Sequence, residues 1–351
     1  MSLIKKYIFL IAVVFAVSCK ENKNESQPLS TQISDLIHAD GMVTDTVIEI
    51  LGQSGVRIKG MPAKENWPAM MAELDSPHCE NVKNLIQGKD PRYPKYAWFA
   101  KPGVERWDMA YAGKANNIQR LLNLILSPRV DNIKGLNMGA ATYPASSTFS
   151  AILLLGSTMG DFQSRINFLN TLINKNKLKS DLSTAYILTG KRSFNNVEKE
   201  VLTKNGSMEA LNILKADSEK VGLEWVYNQS KKESAFMKLP VIIIDDAHPI
   251  GMRATTESTL ALFFKQKSLS KDQKVLAVSS HIFALYQHLI LKRVAYQYGF
   301  EGHVDVCAPA LRDSERNAYS DSKKLAMLLD NLARIFYEIC LYKEKTGKYP
   351  S

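Results

Sequence analysis

From residue 150 onward the chain alternates short apolar runs with longer stretches whose apolar residues recur every three or four positions. Ala151–Leu155, Tyr186–Leu188, Val241–Ile244, Val275–Val278 and His303–Cys307 read as five strands. The first four lack the polar alternation of a half-exposed sheet and therefore predict strands covered on both faces. Between them, Phe162, Ile166, Leu169 and Ile173 fall at helical spacing. Met208–Val221 reads as a second helix, Thr255–Phe264 as a third opened by threonines able to cap it, Ile282–Tyr298 as a fourth, and Ser322–Tyr342 as a long closing helix. Leu223–Val226 is a candidate sixth strand. The order predicts an α/β fold, a Rossmann-like open parallel sheet of about five strands with helices on both faces, occupying residues 146–351.

Upstream the periodicity is broken. Pro62, Pro68, Pro77, Gly88, Pro91, Pro94, Pro102 and Gly103 interrupt residues 32–145, and only Asn117–Leu126, with Ile118, Leu121, Leu122 and Ile125 on one face, makes a clear helix. This segment reads as a helical, loop-rich extension packed on the main domain. Residues 19–31 are rich in Lys, Glu, Asn, Gln and Ser and read as a flexible tether. At the N-terminus, Lys5 and Lys6 precede an apolar run, Tyr7–Val17. That run falls short of the about 20 residues a spanning helix needs. It has the length of a signal-peptide apolar region, roughly 7–15 residues. Ala16-Val17-Ser18-Cys19 resembles a lipobox, which makes residues 1–18 a lipoprotein signal peptide and Cys19 the lipid-attachment site; a plain signal peptide is the alternative. The expected location is the bacterial cell envelope, periplasmic or surface-exposed, with the membrane as a partner through the lipid.

Composition adds limits. The 351 residues, 45% of them hydrophobic, suffice for a core that folds without staples. The formal net charge is +10, and loss of Lys5 and Lys6 with the leader lowers it by two. A basic surface suits anionic head groups, but the basic residues come only in pairs such as Lys231-Lys232, as simple solubility also requires. Export excludes nucleic acid as a partner. Cys79, Cys307 and Cys340 are an odd set once Cys19 is set aside, so no disulfide framework is expected. Cys340 lies on an apolar helical stripe and reads as core.

In open parallel sheets, ligands bind beyond the carboxyl ends of the strands. Those ends carry Gly156-Ser157-Thr158, Thr189-Gly190-Lys191-Arg192, Asp245-Asp246-Ala247-His248 with Arg253–Glu257 following, Ser279-Ser280-His281, and Ala308-Pro309 with Arg312-Asp313 beyond. Small, hydroxylic and charged residues thus converge on one edge. Gly156, Ser157 and Gly190 are candidates to shape an anion cradle, and Thr189, Thr256 and Ser280 are further candidate ligand-binding residues. Arg165, Arg192 and Arg253 are candidates to neutralise the ligand's charge. Arg165 alternatively belongs to a solvated face. Glu257 and His281 are the candidate acid/base pair: a helix N-terminus keeps a histidine neutral, while the competing readings are a helix-capping His281 and a Glu257 placed to suit the helix dipole. Asp245, Asp246 and His248 have no metal-site spacing, and GxGxxG, P-loop and GxSxG patterns are absent.

Taken in order, these motifs resemble the SanA/YdcF/ElyC-like family of bacterial envelope proteins. Leu155-Gly156 matches its first strand end, Arg165 its helical arginine, and Thr189-Gly190-Lys191 its second, Ser-Gly-Gly-type turn. Glu209-Ala210, Thr255-Thr256-Glu257-Ser258 and Ser279-Ser280-His281 match later motifs. Ala284-Leu285 stands where the family has Arg-Ala, and Lys191 replaces a glycine, so the chain resembles a divergent member. The resemblance spans residues 150–310. It implies a Rossmann-like fold and a role in the envelope barrier or in handling peptidoglycan or its lipid carrier; one branch is linked to S-adenosylmethionine. A methyltransferase-like reading conflicts with the lack of a Gly-rich first loop and of an S-adenosylmethionine supply outside the cytoplasm. The reading that results is a membrane-anchored lipoprotein that binds or processes an anionic, phosphorylated or nucleotide-like ligand. The competing reading is a non-catalytic surface lipoprotein for a protein or glycan partner.

Overall fold

The computed structural model describes residues 29–39, 43–53, 117–179, 184–190, 192–230, 239–246, 254–311 and 319–350. The expected leader, Cys19, Cys79, Lys191, Lys231-Lys232, His248, Arg253 and Arg312-Asp313 lie outside the described residues.

Helices α1 (Leu29–Ser34), α2 (Asp45–Gln53) and α3 (Ile118–Leu126) come first, then a short antiparallel hairpin of β1 (Arg129–Val130) and β2 (Ile133–Lys134). Helix α1 begins inside the stretch read as tether, because Leu29 and Ile33, one turn apart, are both buried. Asn117 caps α3 by accepting from the Arg120 N–H, and Leu121, Leu122, Leu124 and Ile125 are buried.

The α/β part follows as β3 (Ala151–Leu154), α4 (Met159–Asn174), β4 (Thr184–Gly190), α5 (Asn196–Asn205), α6 (Met208–Ala216), α7 (Glu219–Ser230), β5 (Val241–Asp246), α8 (Thr256–Gln266), β6 (Lys274–Val278), α9 (Ala284–Gln297), β7 (His303–Cys307) and α10 (Asp321–Thr346). All five long strands run parallel in the order β5-β4-β3-β6-β7. The chain is therefore an α/β protein with a Rossmann-like sheet. Successive residues of each strand serve opposite layers. Leu153, Leu188, Ala277 and Val306 join α8, α9, α10 and the three N-terminal helices in one core. Ile152, Leu154, Ile187, Leu276 and Cys307 join α4 to α7 in the other.

Two expectations fail for local reasons. Leu223–Val226 is helical, within α7, because Leu223, Val226 and Tyr227 recur at helical spacing against the second core. The single helix expected over Met208–Val221 is two, broken where Asp217 adopts a left-handed conformation at the end of α6. Its carboxylate accepts from the Phe194 N–H (2.9 Å). Cys340 and Cys307 are both buried, free thiols. No helix of the described residues is long and apolar enough to cross a membrane.

His288 sits in the interior half of α9, and burial, reinforced by Lys292 and His303, pushes its pKa down from 6.5 to about 3. Between those values the unfolded imidazole binds a proton that the folded one refuses. Stability accordingly falls as the pH falls, by at most about 4–5 kcal/mol across the whole interval. Urea midpoints measured from pH 6.5 down to about 5, above the carboxylate range, are expected to decline for the wild type and to flatten for His288→Leu.

Candidate functional site

The strand order reverses between β3 and β6, and that seam is where the crevice of a doubly wound sheet opens. β3 and β6 pair up to Leu154 and Val278. Beyond them the chain departs to opposite layers: Leu155–Thr158 leads into α4, and Ser279–Phe283 leads into α9.

Arg165 bridges the two departures. It is one of the largest fully buried side chains, on the inward face of α4 rather than a solvated one. Its guanidinium donates to the Leu155 carbonyl, to the Gly156 carbonyl (3.2 Å), and through two nitrogens to the Ser280 hydroxyl (3.1 and 2.9 Å). Among the described residues it makes no ion pair. Burial lowers its pKa to about 10, against the attraction of Asp161 and Glu219. At neutral pH it remains a cation whose direct partners are all neutral oxygens.

The helix start beside it is already filled. Thr158 caps α4, accepting from the Asp161 N–H, and Ser157 donates to the Asp161 carboxylate (2.8 Å). The Met159 N–H donates not to an open slot but to Glu198 (2.9 Å). Glu198 is the partner of a capping box with Asn195 and is gripped by both terminal nitrogens of Arg192 (2.7 and 2.9 Å). Burial opposes the charge on Glu198, but the bonds from Arg192, Asn195 and Met159 prevail and lower its pKa. Arg192 also donates to the Ser157 carbonyl (3.2 Å) and lies 3.8 Å from Glu219. Gly156 is needed for packing: a Cβ there would sit 2.7 Å from the Leu188 carbonyl oxygen and 3.1 Å from the Glu219 carboxylate.

Gly156, Ser157, Arg165, Arg192 and Ser280 thus form one connected cluster. Thr189, Gly190, Thr256 and Glu257 are engaged elsewhere, and His281 directly follows Ser280. Thr189 donates to Asp245 (3.2 Å), which Lys220 approaches to 3.5 Å, and Gly190 pairs with Asp246 and packs on Ala254, closing the β4–β5 ends. Thr255, not Thr256, caps α8; Thr256 opens the helix and its carbonyl accepts from Thr259. Glu257 is held by Arg293 (2.8 Å), which also binds Glu338 (2.9 Å) in the layer between α8, α9 and α10. The Arg293 hydrogen bond lowers the Glu257 pKa and makes it a weaker base. Arg293 lies nine residues, about 13 Å, along α9 from the end that adjoins His281. Glu257 is therefore engaged away from the end of α9 that adjoins His281.

His281 is buried in the turn before α9, whose N-cap, Phe283, makes no side-chain capping bond. The next residue, Ile282, has φ +65°. The other non-glycine residues in this region are Asp131, Asn137, Asn176 and Asp217, types that tolerate it. A β-branched residue held there stores about 1–3 kcal/mol. Among the described residues no group of three or more His, Cys, Asp or Glu side chains is placed to hold a metal ion.

The residues missing from the sequence reading are Glu198, Glu219, Ile282 and Asn331. Asn195-x-x-Glu198 carried a legible capping-box signal; nothing in the sequence marks the backbone at Ile282. Comparisons with protein-family models, curated proteins and solved structures find no match.

Arg192→Met leaves Glu198 charged and buried without its cation, and a loss of about 3–5 kcal/mol in urea unfolding is expected. The double variant Arg192→Met/Glu198→Gln is expected to recover part of that loss.

Proposed function

We propose that this chain is a lipid-anchored envelope protein that binds a small anionic ligand, phosphorylated or nucleotide-like, in the β3–β6 crevice. The observation that carries the ligand reading is the Arg165 cation, buried at the seam with no carboxylate of the described residues in direct contact, while its neighbour Arg192 is already neutralised by Glu198. A buried cation is stabilised by an anion brought beside it far more than an exposed one is, because water screens it less. Ser280, partly exposed and bonded to Arg165, is the group through which the charge meets the crevice. Binding is favoured over acid/base chemistry by a Glu257–His281 pair, because Glu257 is committed to Arg293. The envelope location and the anchor rest on Lys5-Lys6, the apolar run Tyr7–Val17 and the Ala16–Cys19 sequence.

The ligand reading is tested with inorganic pyrophosphate on the detergent-solubilised full chain, with sodium chloride matching the ionic strength. At about 100-fold over Kd, binding adds about 2.7 kcal/mol, a rise of a few degrees in Tm. Arg165→Lys and Ser280→Ala are each expected to lose most of the rise. A wild-type Tm unmoved by pyrophosphate, or variants that respond as the wild type does, overturns the reading.

The anchor is tested separately. Cys19→Ala is expected to abolish incorporation of a palmitate label and to move the chain from the detergent phase to the aqueous phase. Full labelling of the variant removes the lipoprotein reading and leaves the crevice untouched.

A further inference from the structure

The turn between β6 and α9 is pinned at both ends. On the strand side, the Ser279 N–H donates to the Cys307 carbonyl (2.8 Å), and the Ser279 hydroxyl is bonded to the Gln287 side chain of α9. On the helix side, the Ile282 carbonyl accepts from the Asn331 side-chain amide of α10. Ser280 and His281 lie between the pins. The Phe283 N–H returns to the Ser280 carbonyl (3.3 Å), tightening the turn around them.

Asn331 is out of place by ordinary packing rules. It is fully buried in a helix face shared with Leu328, Leu332 and Ile335, and its Oδ1 has no hydrogen-bond partner among the described residues. A half-satisfied amide in an apolar layer is retained against its desolvation cost only if its one bond matters. That bond goes to Ile282, the one β-branched residue among the described residues with positive φ. Backbone strain of this kind persists where its surroundings over-determine it, and it collects at functional sites.

We infer that Asn331 and Ile282 are positioning residues: the closing helix α10 holds the β6–α9 turn in a strained elbow that sets Ser280 against Arg165 and His281 at the crevice. The inference rests on the ligand reading for its affinity readout alone; the geometry of the elbow has an independent one. Asn331→Leu lets the turn relax, which shifts the His281 ring and withdraws Ser280 from the guanidinium. Glycine takes positive φ without strain, so in an Ile282→Gly chain the elbow no longer needs its clamp.

The experiment compares wild type, Asn331→Leu, Ile282→Gly, the double variant and Leu332→Ala in the full chain. Leu332→Ala is the control for a loosened α10, since Leu332 is buried on the same helix in the apolar layer. Two quantities are read: the His281 imidazole resonances, assigned by their loss in His281→Gln, and Kd for inorganic pyrophosphate. Asn331→Leu is expected to move the His281 resonances and raise Kd at least tenfold, while Leu332→Ala changes neither. Adding Asn331→Leu to Ile282→Gly is expected to change Kd less than threefold. Unmoved His281 resonances in Asn331→Leu, or equal shifts in Leu332→Ala, overturn the elbow. If the wild type binds no pyrophosphate, the ligand reading fails, and the resonances still decide the elbow.

Discussion

A guanidinium locked between two main-chain carbonyls and a serine hydroxyl holds the seam of this sheet. At the point where the chain leaves β3 for one layer and β6 for the other, no ladder bond joins the two departures. Arg165 joins them instead, reaching from the inner face of α4 to Leu155 and Gly156 on one side and Ser280 on the other. Hydrogen bonds made by a charged donor contribute about 1.5–3 kcal/mol each. Several together offset part of the cost of removing the group from water, a cost that lowers its pKa to about 10 against the attraction of Asp161 and Glu219. The departures toward α4 and α9 are thus tied together through this one side chain.

The chain supplies its own anion where many sheets of this kind receive one from a ligand. Glu198 occupies the N–H of Met159, and Arg192 balances it. The helix start beside Gly156 and Ser157, expected from the sequence to help cradle an anion, thus meets a carboxylate of the chain itself, while Arg165 makes no ion pair among the described residues. The same economy appears in the opposite layer, where Arg293 is shared by Glu257 and Glu338. Arg192 finds Glu198 six residues on, whereas Glu257 is committed to Arg293, 36 residues away along the chain.

That distance explains which parts of the sequence were legible. Strands such as Ala151–Leu154 and Val275–Val278 announce themselves because burial on both faces leaves no polar position. The helix that Thr255 opens is visible because capping is local, and the one after Asn117 because its apolar residues share a face. Leu223–Val226 misled because a short apolar run fits a strand as well as one turn of a buried helix. The convergence of polar residues on one edge was also legible, since it follows from strand direction. Which of them touch was not: the Arg165–Ser280 bond, the engagement of Glu257 by Arg293 and the Asn331–Ile282 bond depend on how helices cross, which no spacing along the chain encodes.

Helix α1 shares an apolar layer with α9, although Leu29 and Ala284 stand near opposite ends of the sequence. On a ribosome adding about 5–20 residues per second, the partner of Leu29 and Ile33 is made roughly ten to fifty seconds after them. The layer built on α4 to α7 is made in one nearly unbroken run, Met159 to Ser230. The opposite layer is instead assembled from both ends of the chain, α1 to α3 waiting for α8, α9 and α10 to close over them.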